Sequence, residues 1–304
     1  MAIKCVTYQQ IDKQKWDGCI DKAVNGLVYA YSFYLDEMAD NWDALILNDY
    51  EAVMPLTWRK KYGIHYLYQP FFCASLGIFT EQKITDELTA KFLQAVPAKF
   101  KYWDISLNHG NNFLLPGFGM YERMNYVLNL QPGYETLFAN FKTNIKRNIK
   151  KAEELGCIVE KNISLTPILV LSKEILQAVS LIEEEDYNNF AELYKILFQK
   201  GMAVNYAVYS AQKELLASCV FFFSHKRAYY ILVGNHPNGK TIGASHLLIN
   251  AFIKDYAGKD LLLDFEGSDI RNLAFFYSSF GAVEEKYRAI KLNRLPKFFR
   301  WMKN

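Results

Sequence analysis

Long apolar runs are missing from this chain of 304 residues. No stretch approaches the ~18 consecutive apolar residues that a membrane span requires. The opening residues, MAIKCVTYQQ, lack the apolar stretch of a secretory signal. Cysteine is scarce: the five (Cys5, Cys19, Cys73, Cys157, Cys219) are odd in number, scattered, and form no CxxC pair. A disulfide framework is thereby excluded, and the thiols read as small core hydrophobes in a reducing, cytoplasmic setting. Charge of one sign is also lacking. Thirty-five basic residues face 32 acidic ones, and a net charge of +3 is too small by itself to argue for nucleic acid. The five histidines show no metal-ligand spacing, so no metal site is expected. No GxSxG, P-loop or Rossmann fingerprint is present.

What the chain does contain is apolar and aromatic mass. Hydrophobic residues make up 51%, with 21 Tyr and 22 Phe, enough for one large core or two domains. Strand signals come in hairpins. WDALILNDYEAVMPLTW turns at Asn48-Asp49, and YAVYSAQKELLASCVFFF turns around Ser210–Lys213. The two superpose at a shift of 163, pairing Ala44 with Ala207, Glu51 with Glu214 and Tyr66 with Tyr229. Asp104 then meets Asp264 at a shift of 160, and Phe118-Gly119 meets Phe280-Gly281 at 162. Three blocks in one order at nearly constant spacing read as an internal duplication. Each copy holds a hairpin set, a helix, a strand, a short helix and a last strand, giving an α/β fold with mixed, largely antiparallel sheets. The boundary is placed near Gln131-Pro132-Gly133, giving domains 1–131 and 132–304. In the second copy, Gly243–Ala257 reads as a helix, Leu261–Phe265 as a buried strand and Asp269–Phe280 as a short helix. YETLFANFKTNIKRNIKKAEELG reads as one strong helical segment.

Several constellations can carry chemistry. Lys240, Gly243 and Ser245 stand at a helix head, where unpaired N–H groups favour an anion; a plain connecting turn fits the same residues. Asp264 and Glu266 alternate on the strand and offer a general base, with Tyr277 on the next helix as an acid. Alternatively, the carboxylates pair with a neighbour such as Arg271 and Tyr277 packs. Lys142, Lys146 and Lys150 line one helix face, extended by Arg147 and Lys151; they fit phosphates of tRNA, a nucleotide-linked precursor or a lipid carrier, or form a solvated face. Arg59, Lys60 and Lys61 sit at an expected hairpin turn, followed by Tyr66, Tyr68, Gln69 and Phe71, a composition suited to a groove for a glycopeptide or to inter-lobe packing. The tail LPKFFRWMKN either docks Phe298 and Trp301 or rests on an anionic membrane surface.

With the hairpins, KTIGAS heading a helix, LLLDFEGS and Tyr277-x3-Gly281, the chain resembles the GNAT acyltransferase fold. The family's phosphate loop reads Gln/Arg-x-x-Gly-x-Gly/Ala; Lys240, Gly243 and Ser245 take its three places. Two such domains in tandem resemble the FemAB-like family, whose members move aminoacyl groups onto cell-wall precursor peptides. Its long helical arm has no counterpart in Pro167–Lys200. The resemblance implies transfer of an acyl or aminoacyl group to a primary amine of a small molecule or peptide, from acyl-coenzyme A or aminoacyl-tRNA. It assigns Glu266 or Asp264 as base and Tyr277 as acid. Val233, Gly234 and Asn235 would hold the carbonyl, Lys240, Gly243, Ala244 and Ser245 the donor, and Arg59, Tyr68, Gln69, Lys146 and Arg147 the other substrate. Two alternatives stay open: a non-catalytic glycan- or peptide-binding protein on this double fold, and a small-molecule N-acetyltransferase using acetyl-coenzyme A.

Overall fold

A computed structural model describes residues 2–176, 182–267 and 269–295. Ser268, read as the end of a strand, and Phe298 and Trp301 of the tail lie outside the described residues. The chain divides into two compact units, Met1–Met124 with Lys286–Asn304, and Asn125–Glu285.

The first unit starts with β1 (Ile3–Val6), α1 (Lys13–Lys22), α2 (Ser32–Met38), β2 (Trp42–Leu47), β3 (Ala52–Lys61) and β4 (Ile64–Tyr68). There follow β5 (Phe79–Thr80), α3 (Asp86–Ala95), β6 (Phe100–Ser106) and the start of β7 (Met120–Asn129). Local chemistry starts the helices: Asp12 accepts the Gln14 and Lys15 N–H groups, and Thr85 accepts that of Leu88. The sheet runs β1-β2-β3-β4-β6, antiparallel except for the parallel β4–β6 pair. Strand β2 is buried along its whole length. Leu45, Met54, Leu67, Phe92 and Trp103 share one core cluster, and each such side chain contributes about 1.5–3 kcal/mol by leaving water.

The second unit has α4 (Tyr134–Asn140), α5 (Thr143–Glu154), β8 (Ile158–Lys161), α6 (Leu165–Leu176), α7 (Glu184–Gln199), β9 (Ala203–Tyr209), β10 (Leu215–Ser224) and β11 (Arg227–Asn235). Then come α8 (Pro237–Ile242), α9 (Ala244–Tyr256), β12 (Leu262–Asp264), α10 (Arg271–Ser278) and β13 (Val283–Asn293). Its sheet runs β8-β9-β10-β11-β12, again with one parallel pair, β11–β12. Helix α9 lays Phe252 on Phe221 with ring centroids 3.8 Å apart.

Element order and sheet order repeat, so the duplication read in the sequence is the plan of the fold. The parallel pairing ends on a Tyr–Asp rung in both units, Tyr68 with Asp104 and Tyr229 with Asp264. The boundaries differ from 131/132 because the last strands are exchanged. Residues 289–293 of β13 pair with β6 in the first unit, and residues 127–129 of β7 pair with β12 in the second. The segment read as one long helix is two: α4 stops before Phe141, which is extended at φ −63°, ψ 138° and buried against Phe280.

Beyond the last rung the units part. In the first, the free edge of β6 is used by the chain itself: Gln69 Oε1 accepts the Ser106 N–H at 2.9 Å. Leu76 N–H then donates to Ser106 O, and Asn108 N–H to Leu76 O. Buried Asn25, Asn108 and Asn111 clamp the segment around Ile78. In the second unit β11 continues to Asn235, while β12 ends at Asp264.

Candidate active site

The divergence of β11 from β12 is produced by local backbone. After Asp264, Phe265 donates its N–H to Tyr126 O at 3.0 Å. Glu266 and Gly267 then turn left-handed, at φ 60° and 85°. That conformation is costly for a glutamate and marks a position held by its surroundings. Glu266 is therefore not on a strand beside Asp264, as alternation had implied. Strand β11 carries an irregularity too: Val220 pairs with Leu232 and Phe221 with Tyr230, leaving Ile231 as the extra residue of a bulge. The Ile231 N–H hydrogen-bonds the Cys219 thiol. Past the bulge Ile231, Val233 and Asn235 are half-exposed while Leu232 and Gly234 are buried.

Around this edge stand Tyr277, Tyr230, Cys219 and Glu266. Tyr277 stacks on Phe265 at 4.4 Å and meets Tyr230 edge-on at 6.4 Å. Its hydroxyl has no hydrogen-bond partner among the described residues. Burial, followed by the electrostatic influence of Cys219 and Glu266, pushes Tyr277 well above the usual phenol range. At neutral pH it is a proton donor. Burial does the same to Cys219, so that thiol is no thiolate nucleophile. Cys219, Tyr230 and the Ile231 bulge were not found in the sequence, because only strand pairing brings them to Tyr277.

Asp264 is fully engaged. Its oxygens accept from Arg227 Nη1 (2.8 Å), Asn125 Nδ2 (2.9 Å) and the Glu266 N–H (2.8 Å). Arg227 also grips Glu285 with both terminal nitrogens. The pairing partner is thus Arg227, on the neighbouring strand β11 and 37 residues away in sequence, and not Arg271.

The expected anion loop has another shape. Pro237 fits the first helical position and His236 caps it, so Pro237–Ile242 is a helical turn. Gly243, at φ 93°, ends that turn and starts α9. A Cβ there would lie 2.6 Å from Asn148 O, so the glycine is required by the approach of α5. Lys151 Nζ donates to Thr241 O at 2.9 Å. Ala244 is buried, the Ser245 hydroxyl bonds Asn235 Oδ1, and His246 and Leu247 donate their N–H groups to Gly243 O. Lys240 is exposed. Gly234 packs its Cα face on Leu171 of α6.

The other expected positions are dispersed. Lys146 bonds back to Ala139 O at 2.8 Å, while Arg147 is exposed on α5. In the first unit Arg59 lies within β3, ahead of the turn; it forms a two-pronged pair with Asp40 (2.7 and 2.8 Å) and stacks over Tyr68 at 4.2 Å. Tyr68 bonds the same Asp40, and Gln69 closes the β6 edge.

Residues 139–269 match the family model described as an acetyltransferase (GNAT) domain. The second unit carries a GNAT acyltransferase domain. No curated protein sequence matches the chain. Among solved structures, FemX covers 100% of both chains at TM-score 0.69 and 14% identity. L-PGS from Bacillus licheniformis covers 96% of this chain and 95% of its own at 0.56 and 12%. The C-terminal domain of a putative lysylphosphatidylglycerol synthetase from Agrobacterium fabrum gives 93% and 92%, at 0.54 and 9%. These likenesses establish the fold, a tandem GNAT-like architecture of the FemX type. Among the described residues no helix is long and apolar enough to cross a membrane.

One residue of the GNAT domain ties its packing to pH. His246, in the first turn of α9, meets Phe276 edge-on at 5.0 Å and bonds Asn148 at 3.1 Å. Burial lowers its pKa from 6.5 to about 4. Below pH 6.5 the unfolded chain takes up this proton and the folded chain does not. Stability is therefore expected to fall by about 3 kcal/mol as pH drops from 6.5 to 4. Urea midpoints across this range should show the loss, and His246→Gln should reduce it.

Proposed function

We propose that the GNAT domain transfers an aminoacyl group from an ester donor to a primary amine at the open edge of β11. The observation that carries this is the termination of β11–β12 pairing at the Tyr229–Asp264 rung while β11 runs on to Asn235, with Tyr277 and Glu266 beside it. The amine nitrogen attacks the donor carbonyl, and Glu266 takes the ammonium proton. N–H groups of β11 between Ile231 and Asn235 on the side vacated by β12 stabilise the oxyanion. The C–O bond breaks, the C–N bond forms, and the leaving hydroxyl receives its proton from Tyr277. Glu266 then returns a proton to the tyrosinate. Asp264 acts only by holding the turn that presents Glu266.

Aminoacyl-tRNA is the donor this arrangement favours. Helix α5 approaches the α9 start so closely that a Cβ on Gly243 would lie 2.6 Å from Asn148 O, which crowds the place of a coenzyme A pyrophosphate. Arg147 is exposed on that helix for phosphates. The acceptor is the amine of a small molecule or of a cell-wall precursor peptide, and the setting is the cytoplasm. Calorimetric titration tests the donor. Charged tRNA is expected to bind, with an affinity reduced by Arg147→Glu; acetyl-coenzyme A is not, and Lys240→Glu should change neither result. Acetyl-coenzyme A binding that Lys240→Glu abolishes would place the donor at the α9 start instead.

A further inference from the structure

The first unit contains a cavity of about 430 Å³, far in sequence from every residue assigned to transfer. It lies within the roughly 300–1,000 Å³ range of small-molecule sites. Its aromatic walls are Tyr8, Trp42 and Trp58, with Tyr8 set edge-on to Trp42 at 5.7 Å. The carboxylates of Asp36, Asp40 and Asp43 complete it, with Lys99.

Charge balance narrows the ligand. Each carboxylate already has a cation: Asp36 with Lys13 at 2.7 Å, Asp40 with Arg59 at 2.7 Å and Asp43 with Lys99 at 3.0 Å. With Lys13 and Arg59 counted beside the lining Lys99, the three carboxylates are balanced and leave no unpaired charge to attract an ion of either sign. Hydrogen-bonding capacity nevertheless remains. The Asp43 side chain is only 6% exposed, and its Oδ2 takes Lys99 while its Oδ1 has no partner among the described residues. The indole Nε1–H of Trp58 is buried without an acceptor. Lys99 links the two, bonding Asp43 and sitting 5.5 Å over the Trp58 ring. The unused Asp43 oxygen is an acceptor that a hydroxyl, as a donor, answers.

We infer that this cavity binds a neutral saccharide. A pyranose ring has apolar C–H faces that lie against the aromatic walls, and hydroxyls at its edge that meet the carboxylates. Saturation-transfer NMR and titration on the full chain test this with glucose, N-acetylglucosamine, cellobiose and N,N′-diacetylchitobiose. At least one is expected to bind with saturation at its ring C–H protons. Tyr8→Ala and Asp43→Asn should each weaken it at least tenfold while circular dichroism stays unchanged. Binding by none of the four, equal binding by both folded variants, or displacement of the sugar by L-lysine or acetate would each overturn the inference. Should Asp43→Asn fail to fold, Tyr8→Ala decides, since Tyr8 is 38% exposed.

Discussion

Glu266→Gln and Tyr277→Phe are each expected to lower the transfer rate by about 10²–10⁴-fold, the usual contribution of a placed proton donor or acceptor. Both changes keep shape. Phenylalanine preserves the 4.4 Å stack on Phe265, and the lost hydroxyl has no partner among the described residues, so stability should move by less than about 0.5 kcal/mol. Glutamine carries the same left-handed backbone at position 266. In the proposed mechanism the two groups exchange one proton, so the double variant should be little worse than the slower single one. Single-turnover rates measure this. Full activity in both variants would remove them from the chemistry.

The second large effect is on stability. Arg227 is 6% exposed and holds two carboxylates, Asp264 at 2.8 Å and Glu285. Arg227→Met removes the cation that Asp264 and Glu285 share and leaves the buried Asp264 without it, which should cost about 3–5 kcal/mol. Urea denaturation of the wild type and the variant gives the difference. Adding Asp264→Asn and Glu285→Gln removes the stranded charges, so the triple variant should recover most of the loss. A triple variant as unstable as Arg227→Met would mean that packing of the arginine stem, and not charge, sets the cost. The network also positions the site, because Asp264 receives the Glu266 N–H.

The repeat was legible because each copy keeps its own turn residues and apolar periods, which are local signals. The exchange of last strands was not, since β7 and β13 look alike to any pattern and only pairing partners distinguish them. Composition misled at Pro237–Gly243: proline and two glycines read as a loop. In the fold, the proline starts a helical turn and the glycine admits the Asn148 carbonyl of α5. Period-two alternation misled at Glu266, because a strand ending at Asp264 cannot be told from one ending later until the left-handed turn is seen. The Arg227–Asp264 pair joins residues 37 apart through a parallel crossover, which leaves no short-range trace. By contrast Tyr277 was accessible, carried by its place before Gly281 on a short helix. Its neighbours Cys219 and Tyr230 were hidden in the apolar runs of β10 and β11.

The most direct test is a crystal structure with a stable amide analogue of the aminoacyl-adenosine end of tRNA. The aminoacyl carbonyl is expected at the β11 backbone between Ile231 and Asn235, with the Tyr277 hydroxyl on its leaving-group side. An analogue seated against the Gly243 start of α9, or bound away from β11, would contradict transfer at this edge.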